Sequence, residues 1–219
     1  MTVHASRRSI PVAQLTHRLV RSAVALMALT SLAACAPGRG AAVAPMSASM
    51  RASTTVVIVV RHAEKAPLPA NDPELSDVGI ARAQALDAFL RSTPITDVVV
   101  SHLQRTRLTA APLVMRTGAT MHVVPIGPAG VSAHVQALAD TVRAIARGTG
   151  RGVLVVGHSN TVNLIVQALG GSATPALCDS QYSQLFTLRV GDGQTTAARS
   201  TYGAADPVDA SCAAMRTSP

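Results

Sequence analysis

Five consecutive apolar, β-branched residues, Val56-Val57-Ile58-Val59-Val60, constrain this chain more than any other feature. A run without polar alternation has no face to offer water, so it belongs in a strand covered on both sides, as in the middle of a parallel sheet. Ile95 to Val100 and Val153-Leu154-Val155-Val156 repeat the pattern, and Met121 to Val124 forms a shorter strand. Helical segments separate them. Ser76 is placed to cap a helix over about 77–91, in which Val78, Ala81, Ala85, Leu86, Phe89 and Leu90 recur at helical spacing. Further helices are predicted over about 103–116, 131–146 and 160–169, the second of these ending at Gly148 to Gly152 and the last at Gly170-Gly171. Gln184 to Val190 and Thr195 to Tyr202 read as two strands joined by Gly191-Asp192-Gly193. The expectation is one three-layer α/β domain over 55–219, with a mostly parallel central sheet, helices on both faces and a C-terminal edge hairpin.

The segment before that domain has a different character. Residues 22–34 are apolar and uncharged, follow Arg7, Arg8, Arg18 and Arg21, and precede Cys35. Thirteen residues are too few to span a bilayer as a helix, which takes about 20. They fit the apolar core of a secretory signal. Leu32-Ala33-Ala34-Cys35 resembles the bacterial lipoprotein signal, which implies cleavage before Cys35 and lipid attachment to it. Residues 1–34 are then a signal peptide, and 35–54, rich in Ala, Pro, Gly and Ser, a flexible tether. The expected location is the periplasmic face of a bacterial membrane. In that oxidising compartment Cys178 and Cys212 are a candidate disulfide pair, subject to their approach in space.

The formal charge of +8 suggests a nucleic-acid partner, but four of the 19 basic residues lie before Cys35 and all 11 acidic ones after it. The remainder is 15 basic against 11 acidic residues, scattered rather than clustered. With no Trp, two Tyr and two Phe, the chain also lacks the rings on which single-stranded bases stack. No nucleic-acid partner is expected, and a monomer is the default state.

Three predicted strand ends carry polar clusters: Arg61-His62-Ala63-Glu64-Lys65, Ser101-His102-Leu103-Gln104-Arg105 and Gly157-His158-Ser159-Asn160. In open α/β sheets ligands bind just beyond the carboxyl ends of the strands, so the three can converge. Two Arg and two His suit a phosphate monoester: guanidinium forks match phosphate oxygens, and imidazole can accept a phosphoryl group covalently. The N–H groups of Ser159, Asn160 and Thr161 are expected to open a helix toward an anion. No carboxylate or thiolate completes a metal-ligand set around the two His, and this chemistry requires no cofactor.

Taken in order, Arg61-His62 after a buried strand, Arg105 after a second and Gly157-His158 after a later one resemble the histidine phosphatase, or phosphoglycerate-mutase-like, superfamily. The resemblance runs over about 55–205 and includes Asp72-Pro73-Glu74-Leu75-Ser76 and Gly79 as a lead into the first helix. It implies that His62 is the nucleophile, that Arg61 and Arg105 hold the phosphoryl oxygens, and that His158 stabilises the same charge. It adds Asn160 as a weaker contact, and the residues themselves make Ser159 and Glu64 candidate phosphate or substrate contacts, Glu64 being equally suited to pairing with a surface neighbour.

One departure stands out. Better-known members supply a Glu as proton donor some way after the second Arg, yet residues 108–139 contain no Asp or Glu. Another branch places an Asp directly after the later His, where this chain has Ser159. The donor is open among Glu64, Asp72, His134 and Asp140, Asp140 reading better as part of a solvated helix face. Without an acid, aryl or acyl phosphates should react in preference to alkyl phosphates. His122 reads as structural, His102 as an outside candidate for ligand contact, and Arg82, Arg107 and Arg116 as solvated. Three functions compete: a phosphatase acting on a phosphorylated small molecule or phosphoprotein, a phosphoglycerate-mutase-like phosphotransferase, and an inactive anion-binding lipoprotein. Export and the shortness of the chain weigh against the second.

Overall fold

The alternation of buried runs with amphipathic segments produces ten elements in a computed structural model, which describes residues 54–147, 151–191, 195–209 and 212. These are β1 (Thr55–Arg61), α1 (Asp77–Phe89), β2 (Ile95–Val100), α2 (Gln104–Thr117), β3 (Thr120–Val123), α3 (Gly130–Ala146), β4 (Gly152–Gly157), α4 (Val162–Ala168), β5 (Gln184–Val190) and β6 (Thr196–Thr201). The expected signal peptide and most of the tether lie outside the described residues, as do parts of the Gly148–Gly152 stop and of the Gly191-Asp192-Gly193 turn.

One six-stranded sheet runs in the order β3-β2-β4-β1-β5-β6. The first four of these strands are mutually parallel, and β5 and β6 are each antiparallel to the strand before them in that order. This is the expected mostly parallel α/β sheet, with the hairpin at one edge. Period-2 alternation splits β1 between two cores. Val57 and Val59 pack with Val135, Leu138 and Val142 of α3 and Ile165 of α4. Ile58 and Val60 pack with Leu86 of α1 and Ala110 and Leu113 of α2. Helices thus cover both faces, which is why the strand runs are apolar throughout.

The apolar pattern of α1 misled in one respect. Val78 and Phe89 are 59% and 48% exposed, and the buried face is formed by Gly79, Arg82, Ala83 and Leu86. Arg82, expected to be solvated, turns inward because its guanidinium grips Glu64 at 2.8 Å and the carbonyls of Tyr202 and Ala204 at 3.3 and 3.0 Å. Gly79 permits this approach, since a Cβ there would lie 2.1 Å from the Glu64 carbonyl oxygen. Ser76 caps α1 as expected, accepting from Gly79 N–H at 3.2 Å.

His122 is structural, as read. It and Arg151 both meet the buried Asp97 carboxylate, at 2.8 and 3.1 Å. Burial alone would raise the Asp97 pKa, but His122, Thr96 and Arg151 outweigh it and hold the carboxyl below its ordinary value. Among the described residues no helix is long and apolar enough to cross a membrane.

Candidate active site

The central strands β2, β4 and β1 are neighbours, and register brings their carboxyl ends level: Val100 pairs with Val156, and Arg61 with Gly157. A 2.9 Å bond from His62 N–H to the Gly157 carbonyl continues the ladder one step further. The clusters that follow these strands share a cleft of about 670 Å³, lined by Arg61, His62, Lys65, Arg105, His134, His158, Ser159, Asn160 and Thr161, with Ile126, Val131, Asp179 and Tyr182 completing its wall.

His62 and His158 sit edge to face with ring centroids 5.3 Å apart. His62 Nδ1 lies 2.7 Å from the Ala63 carbonyl oxygen. A carbonyl only accepts, so Nδ1 carries the proton and donates it, leaving the Nε2 lone pair as the nucleophilic position. Burial, chiefly, lowers the His62 pKa to about 3, with His158 and the two arginines acting in the same sense. The ring is therefore neutral, as attack on phosphorus demands. His158 Nε2 is 3.2 Å from Ser101 Oγ, itself 3.0 Å from Thr106 Oγ1. Its pKa is also lowered to about 3, by burial first and then Arg105. In the free site His158 is thus a neutral hydrogen-bonding group rather than a standing positive charge.

These shifts predict an acid-sensitive fold. Between pH 6.5 and about 3 the unfolded chain protonates both imidazoles while the native site resists, so stability falls as pH drops through that window. Denaturant titrations at pH 7 and pH 5 should show a loss of about 1–2 kcal/mol per imidazole. His62→Gln should flatten the slope, and an unchanged slope would contradict the burial argument.

Arg61 is 5% exposed and held by one loop. Its Nη1 donates to the carbonyls of Cys178, Asp179 and Gln181 at 2.9, 2.9 and 3.0 Å, and its guanidinium stacks 3.9 Å above the Tyr182 ring. Nη2 lies 3.8 Å from the Asp179 carboxylate, and Nε is buried without a hydrogen-bond partner. Arg105, in the first turn of α2, likewise has a buried Nε with no partner. Burial depresses both guanidinium pKa values, and both groups stay cationic. Buried donors without acceptors are costly, and two of them belong to cations lining one cleft. A tetrahedral oxyanion would satisfy them.

The structure joins Cys178 to Cys212, across a sequence separation of 34 residues. The bridge fixes the loop whose carbonyls orient Arg61. By loop-closure entropy its removal should lower stability by about 3–4 kcal/mol. Denaturant unfolding with and without reductant checks this. A reduced protein with an unchanged midpoint would contradict it.

Other expectations fare differently. Glu64 does not line the cleft, because Arg82 Nε meets both its carboxylate oxygens at 2.8 and 2.9 Å and draws it away. Its assignment as a substrate contact and proton donor is corrected accordingly. Asp72 accepts from Gln104 N–H at 2.9 Å, and Asp140 pairs on an exposed helix face with Arg143 at 2.9 Å. His102 accepts from Ile126 N–H at 3.1 Å and does not line the cleft. Arg107 is exposed, and Arg116 pairs with Asp87. Ser159 and Asn160 reach the cleft, but α4 starts later than expected and Thr161 N–H already donates to the His158 carbonyl at 3.0 Å. Gly157 is needed for this turn, since a Cβ there would come 2.8 Å from Thr161 Oγ1.

Asp179 and Tyr182 were missed. The available signal was the antiparallel hairpin: if β5 runs against β1, the loop entering β5 must arrive beside Arg61. Val60 indeed pairs with Leu185.

A level set of parallel strand ends presents two His and two partly unpartnered Arg on a doubly covered α/β sheet, an arrangement suited to holding a tetrahedral oxyanion. Residues 57–126 match the model of the histidine phosphatase superfamily, branch 1. Two solved structures are similar in fold. One is the protein histidine phosphatase SixA complexed with tungstate, 23% identical, with a TM-score of 0.50, covering 67% of this chain and 96% of that one. The other is a mycobacterial glucosyl-3-phosphoglycerate phosphatase, 18% identical, with a TM-score of 0.51, covering 69% of this chain and all of that one at 100%. No curated protein matches the sequence.

Proposed function

We propose that this protein is a phosphatase that hydrolyses phosphate monoesters or similar phosphorylated substrates through a phosphohistidine on His62. The observation that carries the reading is the cleft's chemistry. A neutral imidazole with its Nε2 lone pair available stands beside two cationic guanidinium groups whose buried Nε donors have no protein acceptor. The arginines would hold the equatorial oxygens and stabilise their charge, while His62 Nε2 attacks phosphorus and water later displaces it. His158 would hydrogen-bond the same oxygens. Asn160 and Ser159 are candidates for lesser contacts at the rim, and no step calls for a metal or cofactor.

The test is phosphate release from an aryl phosphate and an acyl phosphate by the purified protein. Release from either supports the enzyme. None from either, with a cooperatively folded protein, would favour the anion-binding alternative. The same reading places the domain outside the cytoplasm on a lipid anchor at Cys35, supported by the apolar run 22–34 and the residues around Cys35. Cys35→Ala should then release the protein from the membrane fraction, and continued membrane association would overturn the anchor.

A further inference from the structure

We infer that His134 exchanges the proton with the leaving group and the attacking water in the reaction proposed for His62, a reading that rests on that reaction. The imidazole lies in α3, 29 positions after Arg105, in a stretch without carboxylates. It is 3% exposed and lines the same cleft as His62 and His158. Its Nδ1 faces the Pro125 carbonyl at 3.3 Å. That oxygen can only accept, so Nδ1 carries a proton and Nε2 is the working nitrogen. Nε2 is buried and has no hydrogen-bond partner, an arrangement that is costly unless a ligand completes it.

The other candidates are otherwise engaged. Glu64 is gripped by Arg82, Asp72 accepts from Gln104, and Asp140 faces solvent beside Arg143. Asp179 touches the cleft, but its side chain is 98% exposed at the rim.

In the first half-reaction the His62 Nε2–phosphorus bond forms as the bond from phosphorus to the leaving oxygen breaks. The proton on His134 Nε2 passes to that oxygen. In the second, water attacks phosphorus, the phosphorus–nitrogen bond breaks, and the water's proton returns to His134 Nε2. Inorganic phosphate leaves, His134 gives up the proton it took up when substrate bound, and the site is reset. Burial, aided by His102, favours neutral His134 in the free site. A bound phosphoryl dianion acts in the opposite sense and loads the proton needed for the first step. His134 thereby narrows the preference for easy leaving groups that a site without an acid would show.

The test compares His134→Gln with the unaltered protein on an aryl phosphate with an acidic leaving group and on an alkyl phosphate. The expected result is a fall in alkyl phosphate kcat/KM of about 10²–10³, with the aryl phosphate changed by less than about threefold. Equal losses on both substrates would reveal a merely structural role and overturn the proposal, as would no loss, or the selective loss appearing in Asp179→Asn instead. A second measurement needs only the unaltered protein: across aryl phosphates of graded leaving-group pKa, its rates should vary little. A steep dependence, or turnover of aryl but not alkyl phosphates, overturns the assignment. Failure to hydrolyse any of them is a different outcome, and defeats the phosphatase reading itself.

Discussion

His62→Ala should abolish turnover of aryl and acyl phosphates, lowering kcat by roughly four orders of magnitude or more, because a nucleophile that carries a covalent intermediate has no substitute. The loss should appear in kcat rather than in phosphate affinity, since Arg61 and Arg105 remain to bind the anion. Inorganic phosphate should still inhibit or protect the variant within about tenfold of the parent's affinity. Folding should survive the change: among the described residues the ring hydrogen-bonds only to the neighbouring Ala63 carbonyl. Removing a buried imidazole also removes a group that resists protonation, so the variant should be less acid-sensitive than the parent. Single-turnover kinetics and phosphate titration together check the assignment. Residual turnover within about a hundredfold of the parent would place the nucleophile elsewhere.

The second large effect concerns stability. Arg82→Ala should destabilise the fold by about 3 kcal/mol, the usual consequence of removing one partner from a buried pair and stranding the other. The side chain of Arg82 is 4% exposed and that of Glu64 20%. Arg82 also donates to the carbonyls of Tyr202 and Ala204, so it ties α1 to the loop after β1 and to the segment leaving β6. Glu64 is two residues from His62, and its backbone carbonyl accepts from Ser76 N–H at 3.0 Å. The variant should therefore show a lowered unfolding midpoint. It should also show a modest activity loss from slackening behind His62. Glu64→Gln should be milder, because the amide oxygen can still accept from Arg82 Nε. An Arg82→Ala midpoint equal to the parent's would mean the pair holds nothing together.

The contrast between these two residues shows what the chain's letters disclose. His62, Arg105 and His158 were legible because each follows a buried apolar run, and a parallel sheet admits only one end at which such residues can meet. The strand and helix order was legible for the same reason, with apolar runs unbroken where both faces are covered. Arg82 was not legible. Helical periodicity ranks residues by polarity, and an arginine that turns inward to satisfy a carboxylate looks, in sequence, like any solvated arginine. Val78 and Phe89 were misplaced by the complementary error, apolar residues left half-exposed because Arg82 and Gly79 occupy the inner face. Tyr182 and Asp179 were hidden by distance along the chain: the carbonyls that seat Arg61 lie 117 to 120 positions away. Only the strand direction of β5 brings them near. The proton donor was ambiguous for a related reason. Glu64, Asp72 and His134 stood open on paper beside a weaker Asp140, and packing gives the three carboxylates other partners.

In the proposed reaction the phosphoryl group passes through His62. The most direct measurement is a rapid denaturing quench during steady-state turnover of an acyl phosphate, followed by mass mapping of the peptide that contains residues 61–65. The expected result is a phosphoryl group on His62, labile to acid and stable to base, formed and lost fast enough to support turnover and absent from His62→Ala. Sustained turnover with no phosphoryl group on His62, or with the label on another residue, would contradict it.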